Sequence, residues 1–498
     1  MNAVSYLDIL KLAAPETILV LTALVVMVID LTALRGEPRQ SRLLLGGAFA
    51  VGGCVLTLAW MLNSETQGQV GQGMLLVTPL TLLVKTALVG LTIFTVLLSL
   101  GTDFTDHVGE YYGLLLLATV GMMFLVSAED ILMIFVALEL TSLSLYILTA
   151  FNKRNPKSAE AALKYFLFGG LAAAFMLFGL SLLYGLTGST SLAQITAKLG
   201  GPGPDPLLAA ALVMIVAGFG FKVAAAPFHL WAPDVYEGAP TPSAAFIASG
   251  SKVAGFFILA RVLMLGFSGS DVAGSAAWRQ FASGWMPLLA GMSVLSMVLG
   301  NLAAIAQTNV RRLLAYSAIA HAGYVLLAIL APQQAGANQG LSALLYYVVT
   351  YALTTLGAFG VVAVIEARAG DSRLADFAGL SHRAPLLALC MMVFMLSLAG
   401  IPPLAGFFGK FYVFTVAAAG ARDLGLLWLV ILAVALSAVS LYYYLQVLKQ
   451  IYVAAPANGA SAMAVPISSQ VVLALLALSV VVLGCAPGLL LDRIAACL

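Results

Sequence analysis

Apolar runs of about 20 residues, the length that crosses a bilayer as a helix, follow one another from Glu16 to Leu491 with short polar breaks between them. Inside lipid no water is available to the backbone, so only helices or a closed barrel can span it, and these runs are too long for barrel strands. Charge is correspondingly scarce, at 9% of residues, where soluble domains average about 25%. The chain therefore reads as an all-α polytopic membrane protein with about 14 spans. They fall near 16–34, 42–62, 75–99, 111–127, 131–151, 160–187, 207–232, 244–266, 284–306, 313–331, 341–366, 385–420, 426–449 and 468–490.

The longest extramembrane break, 188–206, has no room for a folded catalytic module. Function must sit within the bilayer. The basic residues set orientation, because cytoplasmic loops carry an excess of Lys and Arg. With the amino terminus outside, twelve fall inside: Arg35, Arg39, Arg42, Lys153, Arg154, Lys157, Arg311, Arg312, Arg368, Arg373, Arg383 and Lys449. Six fall outside: Lys11, Lys198, Arg261, Arg279, Arg422 and Arg493. Both termini are thus expected outside. The first span lacks a basic leader and is flanked by Asp8 and Glu16, which reads as an uncleaved helix. The four cysteines have no metal-binding spacing, and Rossmann, Walker A and haem signatures are absent. No cofactor is expected in this chain, and nothing in its charge pattern calls for nucleic acid.

Eighteen of the 23 basic residues are then placed, and the other five lie inside spans: Lys85, Lys164, Lys222, Lys252 and Lys410. A charge at the bilayer centre costs about 2.5–3.5 kcal/mol on insertion scales, so such residues usually face a bundle interior or water and mark an ion pathway. Glu139, in IFVALELTSLSLYIL, lies about 12 Å into its span at 1.5 Å per residue, too deep to reach the interface. It calls for a cationic partner, and a carboxylate kept only for packing is the plainer alternative. Lys222 lies in GFGFKVAAAPFHLW. Pro227 cannot donate to the Val223 carbonyl and should break the helix there, with His229 across the break. Such breaks mark ion sites in transporters and line hydrated cavities.

The device recurs in LSLAGIPPLAGFFGKF, where Gly400, Pro402 and Pro403 interrupt a span and Lys410 follows. The two breaks fall an odd number of spans apart, as inverted repeats require. Lys252, in AFIASGSKVAGFFIL, sits in a small-residue stretch that lets helices approach closely and is placed to bridge the repeats. His321 is either a proton relay or a buried hydrogen-bonded histidine. Glu160 and Lys164 share a helix face and read equally well as a surface salt bridge. Lys85 lies near a span end and reads as a residue that snorkels to the interface. A Glu139–Lys222 pair 4 Å apart would attract by about 4 kcal/mol, so moving the pair would decide whether Lys222 keeps its proton.

KVAAAPFHLWAPDVYEGAPTPSAAF resembles the antiporter-like membrane subunits of respiratory complex I, with EAALKYFLFGG, NVRRLLAYSAIAHAGYVLL and SLAGIPPLAGFFGKF in support. The string PDVYEGAPTP resembles the subunit N branch of bacterial NADH-quinone oxidoreductase more than its paralogues. The start of span 3, VTPLTLLVK, and the stretch LAAAFMLFG within span 6 depart from the usual family pattern. The resemblance implies inverted five-helix repeats in spans 4–8 and 9–13 with spans 7 and 12 broken. It divides the chain into an N-terminal three-helix segment (1–105), a first repeat (106–266), a second repeat (267–450) and a C-terminal helix (451–498). It makes Glu139, Lys222, Lys252 and Lys410 proton-path residues, with Lys164, His229 and His321 secondary.

The resemblance also implies a proton-translocating subunit of a bacterial inner membrane enzyme that performs no redox chemistry itself. FMN, iron–sulfur clusters and quinone would belong to partner subunits, and its neighbours would be lipid and other membrane-arm subunits, antiporter-like ones included. The competing readings are a subunit of a multisubunit cation/proton antiporter and a non-conducting scaffold.

Overall fold

The computed structural model describes residues 10–63, 67–71, 73–199, 205–267, 284–331, 337–419, 425–455 and 463–498. Arg279 and Arg422 lie outside them. Thirteen helices are long and apolar enough to cross a membrane, and two shorter ones, Pro385–Ala399 and Ala405–Ala418, together make another crossing. In chain order spans 1 to 6 are Ala14–Leu31, Arg39–Asn63, Pro79–Ser99, Val108–Ser127, Ile131–Thr149 and Pro156–Thr187. Span 7 is Pro206–Val223 with Trp231–Gly238, and span 8 is Thr241–Arg261. Spans 9 to 11 are Met286–Ile305, Val310–Leu330 and Ala337–Ala369. The two short helices form span 12, and Leu427–Tyr452 and Ile467–Cys485 are spans 13 and 14.

Helix starts follow local chemistry. Proline opens spans 3, 6, 7 and 12, where its missing N–H costs nothing. Asp130, Asn155, Asp205 and Asn309 cap spans 5, 6, 7 and 10 with side-chain oxygens. Span 3 begins at Pro79 rather than near 75, because Leu75–Val77 pairs antiparallel with Gly68–Val70 in a small hairpin. Thr78 and Thr81 then close a reciprocal cap.

One end of the bundle is cross-tied by charge. Arg154 pairs with Asp106 at 2.8 Å, Lys157 with Glu237 at 3.0 Å and Arg311 with Glu366 at 2.9 Å. Arg312 reaches both Asp234, at 2.8 Å, and Glu237, at 3.1 Å. We call this the basic end. The hairpin lies at the opposite end, where the Glu129 N–H donates to the Met74 carbonyl and Glu129 also pairs with Arg261.

Spans 8 and 10 are the most enclosed, each with 94% of its apolar window buried. They carry Lys252 and His321, which places both at the centre of the protein and away from lipid. Spans 1, 2, 6 and 13 are only 33% buried and form the periphery.

Candidate functional site: a row of buried amines between two broken helices

The two interruptions have the same backbone construction. In span 7 the first half-helix ends with Ala224 in the left-handed region, φ 58°, its N–H returning to the Gly220 and Phe221 carbonyls. In span 12 Gly400, φ 87°, returns its N–H to Leu396 and Ser397. The next N–H groups, of Ala225 and Ile401, close onto Gly220 and Leu396 at 2.8 and 3.0 Å. Each turn is the wider 6→1 closure of a helix C-terminus. A cis proline, Pro227 or Pro403, follows at the same offset in both. Glycine takes this conformation freely, whereas Ala224 holds it against an intrinsic cost of about 1–2 kcal/mol. Pro227, Pro402 and Pro403 are themselves exposed and serve to break the helix rather than to line the site.

Both interruptions bring a lysine to the carbonyl end of a half-helix, where the negative pole of the helix dipole favours a cation. Lys222 is 2% exposed, and its Nζ donates to Ser142 Oγ of span 5 at 3.1 Å. Its stem passes Gly255 of span 8, where an added Cβ would lie 3.4 Å from Lys222 Cγ. One turn before Gly255 is Lys252, also 2% exposed. Its Nζ donates to the Ala318 carbonyl of span 10 at 2.6 Å and stands 5.5 Å over the Tyr351 ring of span 11. Lys252 thus reaches from span 8 to a carbonyl of span 10 and a ring of span 11.

His321, one turn beyond Ala318, continues the row. Its Nδ1 pairs with the Tyr347 hydroxyl at 2.7 Å and its Nε2 with the Tyr444 hydroxyl at 3.1 Å. Its ring lies 4.9 Å from that of Tyr351 and 5.7 Å from that of Tyr324. Lys410 lies beyond, 5.3 Å over Tyr324. Its Nζ donates to the Ala399 carbonyl at 2.9 Å and to Ser437 Oγ at 2.8 Å. The order through the protein is Lys222, Lys252, His321, Lys410.

Several expectations need correction. Glu139 and Lys222 are electrostatic neighbours but do not form a contact ion pair. Lys222 bonds instead to Ser142, and Glu139 Oε1 is buried without a hydrogen-bond partner among the described residues. The attraction is therefore weaker than at 4 Å. At the span 7 break the Phe221 carbonyl accepts both from the Ala224 N–H and from the Trp231 indole, each at 3.0 Å. His229 is only half buried and makes no hydrogen bond to the lysine row among the described residues. Lys164 joins no buried site: at the basic end it pairs with Glu160 at 2.7 Å and Asp234 at 2.8 Å. This gives the PDVYEG stretch a physical role, since its Asp234 and Glu237 anchor the second half of span 7 to spans 6 and 10. Lys85 does not snorkel. It is 1% exposed and pairs with Glu16 of span 1 at 2.6 Å, so Glu16 is a buried carboxylate in the first turn of that span rather than a free flank.

Sequence reasoning missed Ser142, Ser437 and the tyrosines around His321. A signal existed in the clustering of Tyr346, Tyr347 and Tyr351 within span 11 and of Tyr442 to Tyr444 within span 13.

Residues 128–440, which hold every member of the row, match the family described as "NADH:quinone oxidoreductase/Mrp antiporter, TM". NADH-quinone oxidoreductase subunit N 2 of Acidobacterium capsulatum is 51% identical over 99% of both chains. The chain belongs to the subunit N family. Among subunit N relatives and their counterparts, NAD(P)H-quinone oxidoreductase subunit 2 of a Synechocystis strain is 40% identical over 89% of this chain and 82% of its own. A chain of respiratory complex I from Thermus thermophilus superposes with a TM-score of 0.77 at 36% identity, covering 96% of this chain and 98% of that one. A chain of the Mrp complex from Dietzia superposes with a TM-score of 0.80 over 98% of this chain and 97% of its own, at 20% identity. That likeness extends the shared fold beyond subunit N without carrying function.

Proposed function

We propose that this chain is the subunit N type proton-translocating subunit of a bacterial NADH-quinone oxidoreductase. In this reading it performs no redox chemistry. NADH oxidation and quinone reduction occur in partner subunits that hold FMN and iron–sulfur clusters, and other antiporter-like subunits lie beside it in the membrane arm. The observation that carries the reading is the buried amine row. It holds the only lysines of the described residues that are almost fully buried without a carboxylate in contact, and hydroxyls, carbonyls and tyrosine rings meet them instead. An amine held by neutral groups can lose its proton without leaving a stranded counter-ion, which suits a carrier better than a fixed ion pair.

Protons pass between Lys222 and Lys252 across span 8, and from Lys252 through His321 and its tyrosine partners to Lys410. Glu139 biases Lys222 from span 5. The repeated construction at the two breaks supports reading 106–266 and 267–450 as inverted repeats, preceded by the three-helix segment 1–105 and followed by 451–498. The full-length likeness at 51% identity to a subunit N protein favours this reading over the Mrp-type cation/proton antiporter. The test is purification of the native complex by a tag on this chain. Flavin, iron–sulfur subunits and NADH:quinone activity should co-purify in constant ratio. Recovery with small antiporter subunits and no redox centre would sink the assignment.

We further propose that the basic end faces the cytoplasm and that both termini face the periplasm. In a background free of native cysteine, a cysteine at Asn155 should resist an impermeant reagent applied from outside, whereas one at Asp205 should react. The reverse labelling would invert the direction assigned to every step above.

A further inference from the structure

Span 9 contributes no charge to the amine row, but it carries Asn301, the one amide side chain among the described residues that is fully buried. An amide inside a bilayer is costly unless its polar atoms are met, and here they are. Its Nδ2 donates to the Met297 carbonyl at 2.8 Å and to the Tyr324 hydroxyl of span 10 at 3.0 Å, and its Oδ1 accepts from the Tyr443 hydroxyl of span 13 at 3.0 Å. The Met297 contact decides which amide atom is which. A carbonyl can only accept, so the atom facing it is the nitrogen and the oxygen faces Tyr443. Tyr443 must therefore spend its one proton on Asn301, and towards its other neighbours it offers only lone pairs.

Tyr444 is next in line. Its ring centroid lies 4.5 Å from that of Tyr443, and the two hydroxyls neighbour each other. The Tyr444 hydroxyl also meets Ser317 Oγ, and His321 Nε2 at 3.1 Å. Its proton, directed at the Tyr443 oxygen, leaves its lone pairs for the Ser317 hydroxyl and for an N–H on Nε2. The other side of the imidazole gives the same answer independently. The Tyr347 hydroxyl has His321 Nδ1, at 2.7 Å, as its hydrogen-bond partner among the described residues. A hydrogen on Nδ1 would leave the proton of that phenol buried without an acceptor, which costs about 1–3 kcal/mol. Both chains of bonds put the hydrogen of the neutral ring on Nε2.

We propose that Asn301 is a positioning residue that fixes the tautomer of His321 from span 9, acting through Tyr443 and Tyr444. The ring then has one accepting and one donating nitrogen. Nδ1 gains a proton on the Tyr347 side, and Nε2 loses one on the Tyr444 side. Asn301 touches neither the imidazole nor a lysine of the row, and its effect is carried wholly by hydroxyl orientation. The same amide also holds Tyr324, the ring that stands 5.3 Å from the Lys410 amine, so one side chain orders the surroundings of two members of the row. This deepens the proton-carrier reading and rests on it.

The test uses the assembled complex, purified with histidine labelled with heavy nitrogen in the ring. The infrared ring bands of His321, isolated by subtracting the spectrum of a His321→Gln complex, report its tautomer. The unaltered complex should show the Nε2–H form. Asn301→Leu keeps the shape without the hydrogen bonds, and should raise the share of the Nδ1–H form and slow proton pumping by about one order of magnitude, part of what a positioned proton-transfer group supplies. Tyr443→Phe deletes only a hydroxyl and should do the same, which keeps the test open if Asn301→Leu does not assemble. The double variant should be no slower than either single one, because both cut the same chain. A merely structural Asn301 would leave the bands in place. An Nδ1–H ring in the unaltered complex, or an unchanged tautomer in both variants, would overturn the proposal. Normal pumping by Lys252→Met would instead remove the carrier reading and leave the tautomer result standing.

Discussion

Replacing Lys222 by alanine should leave the complex assembled and remove about nine-tenths or more of its proton pumping, the scale expected when a positioned proton-transfer group is lost. Assembly survives because of how Lys222 is held. Removing one member of a buried contact ion pair usually costs about 3–5 kcal/mol, since the other charge is stranded. Lys222 has no carboxylate in contact: it bonds to Ser142, whose hydroxyl can turn to another acceptor. Glu139 is only partly buried and can take up a proton to become neutral. Pumping is lost because Lys222 is the member of the row nearest Glu139, and with it goes the group through which Glu139 acts on Lys252. Proton uptake and NADH oxidation measured on the same purified enzyme check this. Normal pumping with full assembly would remove Lys222 from the path.

Lys410→Arg should pump as poorly as Lys410→Ala. Arginine keeps a positive charge but cannot lose a proton in a protein, so the exchange separates a carrier from a fixed charge. A straight-helix count from the basic end places Lys410 well towards the opposite end of its span. The break changes that, because the side chain folds back to the Ala399 carbonyl at the end of the preceding half-helix, at the level of the interruption. Gly400 leaves the room: a Cβ there would meet Lys410 Cδ at 3.0 Å. In the proposed path Lys410 would receive from the His321 cluster and release past the second half-helix. Near-normal pumping in the arginine variant with loss in the alanine variant would make Lys410 an electrostatic element only.

The spans were legible because their signal is one-dimensional: a run of apolar residues long enough to cross a bilayer means the same thing in any packing. The breaks at Pro227 and at Pro402 and Pro403 were legible for a similar reason, since proline acts on its own helix. Lys222, Lys252 and Lys410 stood out through the cost of burying charge, which needs no knowledge of neighbours. Who meets whom across helices was not legible. Lys85 near a helix end looks the same in sequence whether it snorkels to water or, as here, pairs with Glu16. The tyrosines around His321 come from spans 11 and 13, which only the fold brings to span 10. Glu139 and Lys222 were placed together correctly as neighbours, but one turn of helix, from Glu139 to Ser142, decided that a hydroxyl and not a carboxylate touches the amine.

The central claim is that the amine row conducts protons rather than holding helices together, and Lys252 is its most direct point of test. It is the member that joins span 8 to spans 10 and 11, and methionine keeps an unbranched side chain one atom shorter, without a charge or an exchangeable proton. The measurement is the number of protons translocated per NADH oxidised by the assembled Lys252→Met complex in sealed proteoliposomes. The account predicts a ratio clearly below that of the unaltered enzyme at unchanged subunit content. An unchanged ratio from a fully assembled complex would contradict it.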